Sequence, residues 1–218
     1  MDACGCGAEG FASVFDRHKA ERDRDRYRRN GPDRTTRMLL ELLAPYRSAG
    51  STVLDIGGGI GIIDHELLQT GAASAVLVDG SPAPLEVARQ EARRLNLFDR
   101  MVFVEGDFAR RAAAIDPADI VTLDRVVCCY PDAEALVGLS AARVRTAYGL
   151  VLPRDRRLTR IATRLENLVY RLRRRTFRSY VHPTARVDEI ATANGLRLGA
   201  ERYTAYWRVV VYDRHPVV

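Results

Sequence analysis

The chain has 218 residues, 47% of them hydrophobic and 28% charged, with a formal net charge of +6. That size fits one α/β domain behind a short leading segment, and no apolar run approaches the 18 or more residues that a bilayer span requires, so a membrane-spanning chain is excluded. The positive balance argues only weakly for a nucleic-acid partner, because Lys19 is the only lysine among 34 basic residues, a bias that reads as codon composition.

Residues 1–10 hold three glycines, Cys4 and Cys6 without periodicity and read as a tail; no basic-then-apolar leader is visible, so a soluble, cytoplasmic protein is expected. From Phe11 to Arg29 an Arg/Asp alternation with Glu21/Arg24 and Asp25/Arg28 at helical spacing predicts a solvated helix able to close over a ligand. Asn30-Gly31-Pro32-Asp33 stops it, and Asp33 caps a second helix over 34–43 whose apolar face is Met38, Leu39, Leu42 and Leu43. The run from Thr52 to Ile56 is a strand that breaks at Gly57, Gly59 and Gly61 and resumes as a helix over 62–68, ended by Gly71. Missing Cβ atoms in such a turn let backbone N–H groups approach a ligand. A second strand over 75–78 ends at Asp79, about 20 residues past the glycines, where an adenosine ribose is gripped. An adenosyl cofactor follows from that spacing.

Ser81 and Pro82 open a helix over 84–95, and a strand over 101–105 leads to a short helix over 108–115. A fourth strand covers 119–123, a helix 132–145 and a fifth strand 147–152. Strands alternating with helices in this way give a parallel sheet with right-handed crossovers. Apolar residues at 158, 161, 165, 168, 169 and 172 form a helical stripe with arginines on the other face. A helix over 184–194 closed by Gly195 precedes two adjacent strands over 196–202 and 205–212.

The D-x-G-x-G-x-G loop from Asp55 to Gly61, the strand-end acid Asp79, Gly106-Asp107-Phe108 and the strand over 120–123 preceded by Asp119 together resemble the class I methyltransferases that use S-adenosylmethionine. The resemblance covers residues 35–215, with the motifs in the family's order. It implies a Rossmann-like seven-stranded, mostly parallel sheet with helices on both faces, an antiparallel C-terminal hairpin and an N-terminal helical lid. Residues 1–34 are then tail and lid, and 35–218 the methyltransferase domain. It also implies S-adenosylmethionine as cofactor, with Asp55 toward its methionine end, Asp79 on the ribose hydroxyls and Asp107 on the adenine amino group. Gly57, Gly59, Gly61, Gly80, Phe108 and Asp124 complete the expected binding set. For Asp107 a plain helix N-cap is the alternative.

Ligands lie past the carboxyl ends of the strands in such a sheet, so the segment after the fourth strand faces the methyl acceptor. It reads Asp124-Arg125-Val126-Val127-Cys128-Cys129-Tyr130-Pro131. Where many small-molecule members of the family carry a histidine or aromatic pair, two cysteines and Tyr130 stand here. In-line displacement from a sulfonium draws its rate from alignment and needs a base only for a weakly acidic acceptor. The candidates are His182, Tyr180, Asp124 and Tyr130, with Cys128 and Cys129 as soft groups; as core residues the cysteines are small hydrophobes. No C-x-x-C spacing supports a structural zinc, so no metal is expected, although paired thiols with Cys4 and Cys6 are able to bind a soft ion. The N-P-P-Y pattern of amino-nitrogen methylation is absent, which disfavours nucleic-acid amino groups as acceptors. Tyr130-Pro131 resembles the magnesium-protoporphyrin O-methyltransferases, whose acceptor is a carboxylate. The arginines at 171, 173, 174, 175 and 178 read as a solvated face, an acidic-substrate clamp or a contact with an anionic membrane. Three functions stay open: methylation of a small molecule, methylation of RNA or protein through the basic C-terminal third, and a non-catalytic cofactor-binding regulator.

Overall fold

The structure is a computed structural model that describes residues 14–214. Cys4 and Cys6 lie outside the described residues. Seven strands form one sheet: β1 (Thr52–Ile56), β2 (Ser74–Asp79), β3 (Met101–Glu105), β4 (Ala118–Asp124), β5 (Val144–Pro153), β6 (Leu196–Tyr203) and β7 (Trp207–Arg214). Their order is β3-β2-β1-β4-β5-β7-β6. The first five pair in parallel, and β7 runs antiparallel to both β5 and β6. This is the expected Rossmann-like sheet with its terminal hairpin.

Side chains alternate across the sheet, so each strand feeds two cores. Val53 of β1 joins Leu77, Ile120 and Val151 beneath helices α2 (Arg34–Leu43), α3 (Ile62–Gln69) and α4 (Pro82–Arg94). Leu54 and Ile56 face the other way, toward Leu136 and Val137 of α6 (Ala133–Ala141) and Val187 of α8 (Thr184–Ala193). Polar groups tie the opposite, amino-terminal edge: Asp119 accepts from the amide and the hydroxyl of Thr52 at 2.8 and 2.9 Å, binding the start of β4 to that of β1.

Several local expectations shift. In α2 the fully buried residues are Leu39 and Leu43 with Leu40 beside them, whereas Met38 and Leu42 pack only partly. The Ser81 side chain makes no cap to α4; its amide instead donates to Asp79. The helix expected over 108–115 is a single turn, α5 (Phe108–Arg111), followed by a 3-10 turn. Residues 144 and 145 belong to β5 rather than to the preceding helix, because Val144 pairs with Ala118 of β4. The last turn lengthens to 204–206, where the Thr204 hydroxyl accepts from the Trp207 amide at 2.8 Å.

Helix α1 (Arg17–Asn30) is capped by Asp16 and anchored at its carboxyl half. Tyr27 donates to Glu66 at 2.8 Å, and Arg28 bonds the buried Glu91 of α4. Its amino-terminal half overhangs the carboxyl edge of the sheet. Helix α7 (Arg157–Leu172) carries the expected apolar stripe, and the stripe faces solvent, with Leu158 80% and Leu165 59% exposed, while Thr159 and Thr163 are buried. No helix of the described residues is long and apolar enough to cross a membrane.

Candidate functional site

Gly57, Gly59 and Gly61 all adopt positive φ between β1 and α3, the left-handed region that glycine enters without strain. Gly58, which the G-x-G-x-G spacing passes over, is the tightest position: a Cβ there would lie 2.2 Å from Asp55 Oδ2 and 2.3 Å from Leu77 Cδ1. The loop therefore sits directly on Asp55. That carboxyl is buried, accepts from the Thr122 hydroxyl at 2.6 Å through Oδ1, and has no hydrogen-bond partner at Oδ2 among the described residues. Burial, then the neighbouring Asp64 charge, hold Asp55 well above the usual carboxylate range; burial likewise raises Asp64. Two buried acids, with Asp55 Oδ2 and both Asp64 oxygens unanswered among the described residues, fit a ligand that brings a positive charge.

Asp79 shapes the same loop from the next strand. Its Oδ2 accepts from the Gly59 amide at 2.9 Å and its Oδ1 from Ser81 at 2.8 Å, leaving lone pairs on both oxygens for hydroxyl donors. Burial raises it, against those two amides. Asp107 does two things at once: Oδ1 caps α5 through the Ala109 amide at 2.9 Å, and Tyr130 donates to Oδ2 at 3.0 Å. Tyr130 therefore orients an acid. Burial, then Asp107, push its phenol up to about 12, which opposes service as a base near neutral pH. Gly80 and Phe108 line the same cavity.

At the end of β4 lies a network the motifs did not reveal. Asp124 accepts from Thr36 of α2 at 2.5 Å and from Arg125 at 2.9 Å, while Arg125 also donates to Asp33 at 2.6 Å. Arg125 has φ 63, which turns its side chain back over the strand end. Burial raises Asp124 despite the guanidinium; for Asp33 burial is outweighed by Arg125 and the Thr36 amide, which bring it down to about 2. The one sequence clue was Asp33 as a helix cap, and its Oδ1 does take the Thr35 and Thr36 amides. Its second oxygen makes the ion pair.

The thiols of Cys128 and Cys129 both turn onto the Arg125 carbonyl, at 3.2 and 3.5 Å, and lie 3.8 Å apart. The Cys128 thiol, then burial, push Cys129 well above the usual thiol range, so it is a poor thiolate donor. Among the described residues no group of three or more His, Cys, Asp or Glu side chains is placed to hold a metal ion. His182 departs from expectation. Its Nε2 is 3.0 Å from the Tyr130 carbonyl and its ring stacks on Tyr180, so it lines a neighbouring hollow beside Pro183 rather than the main cleft. Burial lowers its pKa.

These groups surround a cavity of about 1700 Å³ above the carboxyl ends of β1, β2 and β4. Asp55, Gly57, Gly58, Gly59, Asp79 and Asp107 line one end, whereas Gly61 is not among the lining residues. Tyr170, Phe177, Tyr206 and Trp207 wall the other, and Lys19, Ala20 and Asp23 of α1 hang over it. The strand order reverses between β1 and β4, the switch point at which such sheets take their ligands.

Sheet order and glycine loop define the chain as a Rossmann-like domain with the strand arrangement of the methyltransferase fold. A family model described as a methyltransferase domain matches residues 53–146. A ribosomal protein L11 methyltransferase of Deinococcus radiodurans is 30% identical over 125 residues, which is 56% of this chain and 45% of that protein. Another, from Alteromonas mediterranea, is 33% identical over 116 residues, 50% and 40% of the respective chains. The chain thus spans less than half the length of the curated relatives it matches. Among solved structures, magnesium protoporphyrin IX methyltransferase from Synechocystis PCC 6803 with bound SAH has a TM-score of 0.70 at 20% identity, covering 93% of this chain and 99% of that one. An O-methyltransferase family protein from Burkholderia thailandensis has a TM-score of 0.69 at 20% identity, covering 97% and 64%. At these identities the likeness is one of fold.

Proposed function

We propose that the protein transfers a methyl group from S-adenosylmethionine to a small molecule with a large apolar or aromatic body. The cavity carries this reading. Pockets for one small ligand run to roughly 300–1,000 Å³, and a space of about 1700 Å³ leaves room beside a cofactor for a sizeable acceptor against Tyr170, Phe177, Tyr206 and Trp207. Asp55 would hold the cationic methionine end, Asp79 the ribose hydroxyls and Asp107 the adenine edge, with Gly57, Gly59 and Gly80 admitting the backbone approach. When bound, the cofactor supplies an electrophilic methyl on a good leaving group. The chain's contribution is then alignment and exclusion of water. Tyr130 is held protonated on Asp107, Cys129 is pushed up, and His182 faces away. Asp124 stays a positioning residue between Thr36 and Arg125. An acceptor already ionised at neutral pH, such as a carboxylate, suits that environment.

Calorimetric titration with S-adenosylhomocysteine tests the cofactor half: binding is expected, weakened at least about tenfold in Asp79→Asn, which loses a charged acceptor. No heat and no thermal protection would overturn it. Product release across a panel of apolar carboxylic acids and phenols tests the acceptor half. A second reading, a protein acceptor, is favoured by the names of the curated relatives; methyl label on ribosomal proteins, with none on the small-molecule panel, would establish it.

A further inference from the structure

Helix α7 turns its apolar side outward. Leu158, Ile161, Leu165, Leu168, Val169 and Leu172 are all exposed, and together they cover roughly 100° of the helix circumference, the width of a normal buried stripe. The inner side is held by polar and aromatic tethers: Thr163 meets the Tyr206 hydroxyl at 3.0 Å, Asn167 exchanges two bonds of 2.8 Å with the Ser179 backbone, and Tyr170 packs edge-on to Phe177. An isolated exposed leucine needs no explanation; six in one stripe mark a contact surface.

Its border identifies the partner. Exposed Arg157, Arg160, Arg164 and Arg171 line one edge of the stripe, and exposed Arg173 and Arg174 follow the helix end. Arg160 pairs with Asp155, whereas Arg157, Arg164, Arg171, Arg173 and Arg174 have no acidic partner among the described residues. The sole acid within the helix, Glu166, lines the cavity. An apolar stripe flanked by cations is the pattern of a helix that lies in a headgroup layer, its leucines at the acyl boundary and its arginines on lipid phosphates. An antiparallel second copy fits poorly, because two-fold pairing of the stripes would set both arginine rows along the same edge.

We infer that α7 docks the protein on an anionic membrane surface through this stripe, with the arginine edge on the lipid headgroups. Since Ala162, Glu166 and Tyr170 on the other side of the helix line the cavity, docking brings the cleft to the bilayer surface. Under the proposed function, and resting on it, the acceptor would then be an amphiphile drawn from the lipid phase. The docking itself does not need that reading.

Flotation of the full chain with vesicles of equal parts phosphatidylcholine and phosphatidylglycerol tests it, against phosphatidylcholine alone. Flotation is expected on the anionic vesicles, reduced on neutral ones and by salt. Replacing Arg157, Arg164 and Arg171 by Gln is expected to weaken it on the order of a hundredfold, and Leu165→Ser with Leu168→Ser at least about tenfold. All these positions are exposed, and an unchanged circular dichroism spectrum and cooperative thermal melt report that each variant still folds. Three results would overturn the inference: no flotation on anionic vesicles, flotation unchanged in both variants, or a solution dimer dispersed by the leucine variant without flotation, which would assign the face to a second copy. A chain that floats but binds no S-adenosylhomocysteine keeps the docking and removes the proposed function; the opposite result does the reverse.

Discussion

Helices α2 and α7 carry the same kind of sequence signal and end in opposite environments. Each has leucines at helical spacing and arginines elsewhere on its surface, yet Leu39 and Leu43 of α2 are sealed against β5 and β7 while the stripe of α7 meets solvent. The difference lies in how each helix is fastened. Asp33 caps α2 and, through Arg125, ties its start to the end of β4 over the sheet. Helix α7 starts at Arg156 without a side-chain cap and forms a cavity wall, so its inward residues answer hydroxyls and carbonyls rather than a core. Periodicity says which residues share a face; it does not say what that face meets.

The comparison is broken first by truncation in α2. Leu43→Ala is expected to cost about 2–5 kcal/mol in denaturant unfolding, the range for a fully buried leucine. A cost below 1 kcal/mol would mean that α2 is not part of the core.

Asp33→Asn comes next, at about 1–3 kcal/mol at pH 7, since Asn keeps the cap but leaves Arg125 answered only by Asp124; partial exposure of the guanidinium puts this below a fully buried pair. The sign with pH follows from the depressed carboxyl: its stabilisation is complete above the unfolded value near 3.9 and is lost as pH falls toward about 2. The gap between wild type and variant is therefore expected to narrow over that window. A gap constant down to pH 2 would remove the ion pair as its cause.

Smaller effects sharpen the other side. Arg156→Asp supplies the missing cap of α7 and is expected to raise stability by about 0.5–1 kcal/mol. Leu165→Ala, on the exposed stripe, is expected to stay within about 0.5 kcal/mol; a loss above 1.5 kcal/mol in dilute solution would show that the face is covered.

Much of the cofactor end was legible because it is local. Asp55, the glycines and Asp79 lie at the ends of adjacent strands, and a short turn with positive φ admits few residue types, so their place in the strand–turn–helix unit could be read from spacing. Gly58 was not legible, since its constraint comes from how the loop folds down onto Asp55 and onto Leu77 of the next strand. The acceptor end was read less well. Tyr130 lies on Asp107, a residue 23 positions earlier, and His182 turns away because the Tyr130 carbonyl holds its ring. The Asp33–Arg125 pair spans 92 positions and left only the trace of a helix cap.

By itself, the order of residues determined where chain direction and hydrogen bonding repeat: the strands, the helices, the glycine turn and the two periodicities, all set by neighbours within a few positions. Only the tertiary structure decided which carboxyls are buried together, which hydroxyl restrains which acid, and which apolar stripe remains uncovered. Those outcomes depend on solvent exclusion and on groups brought near from far along the chain, and no local pattern encodes the surface a face will meet.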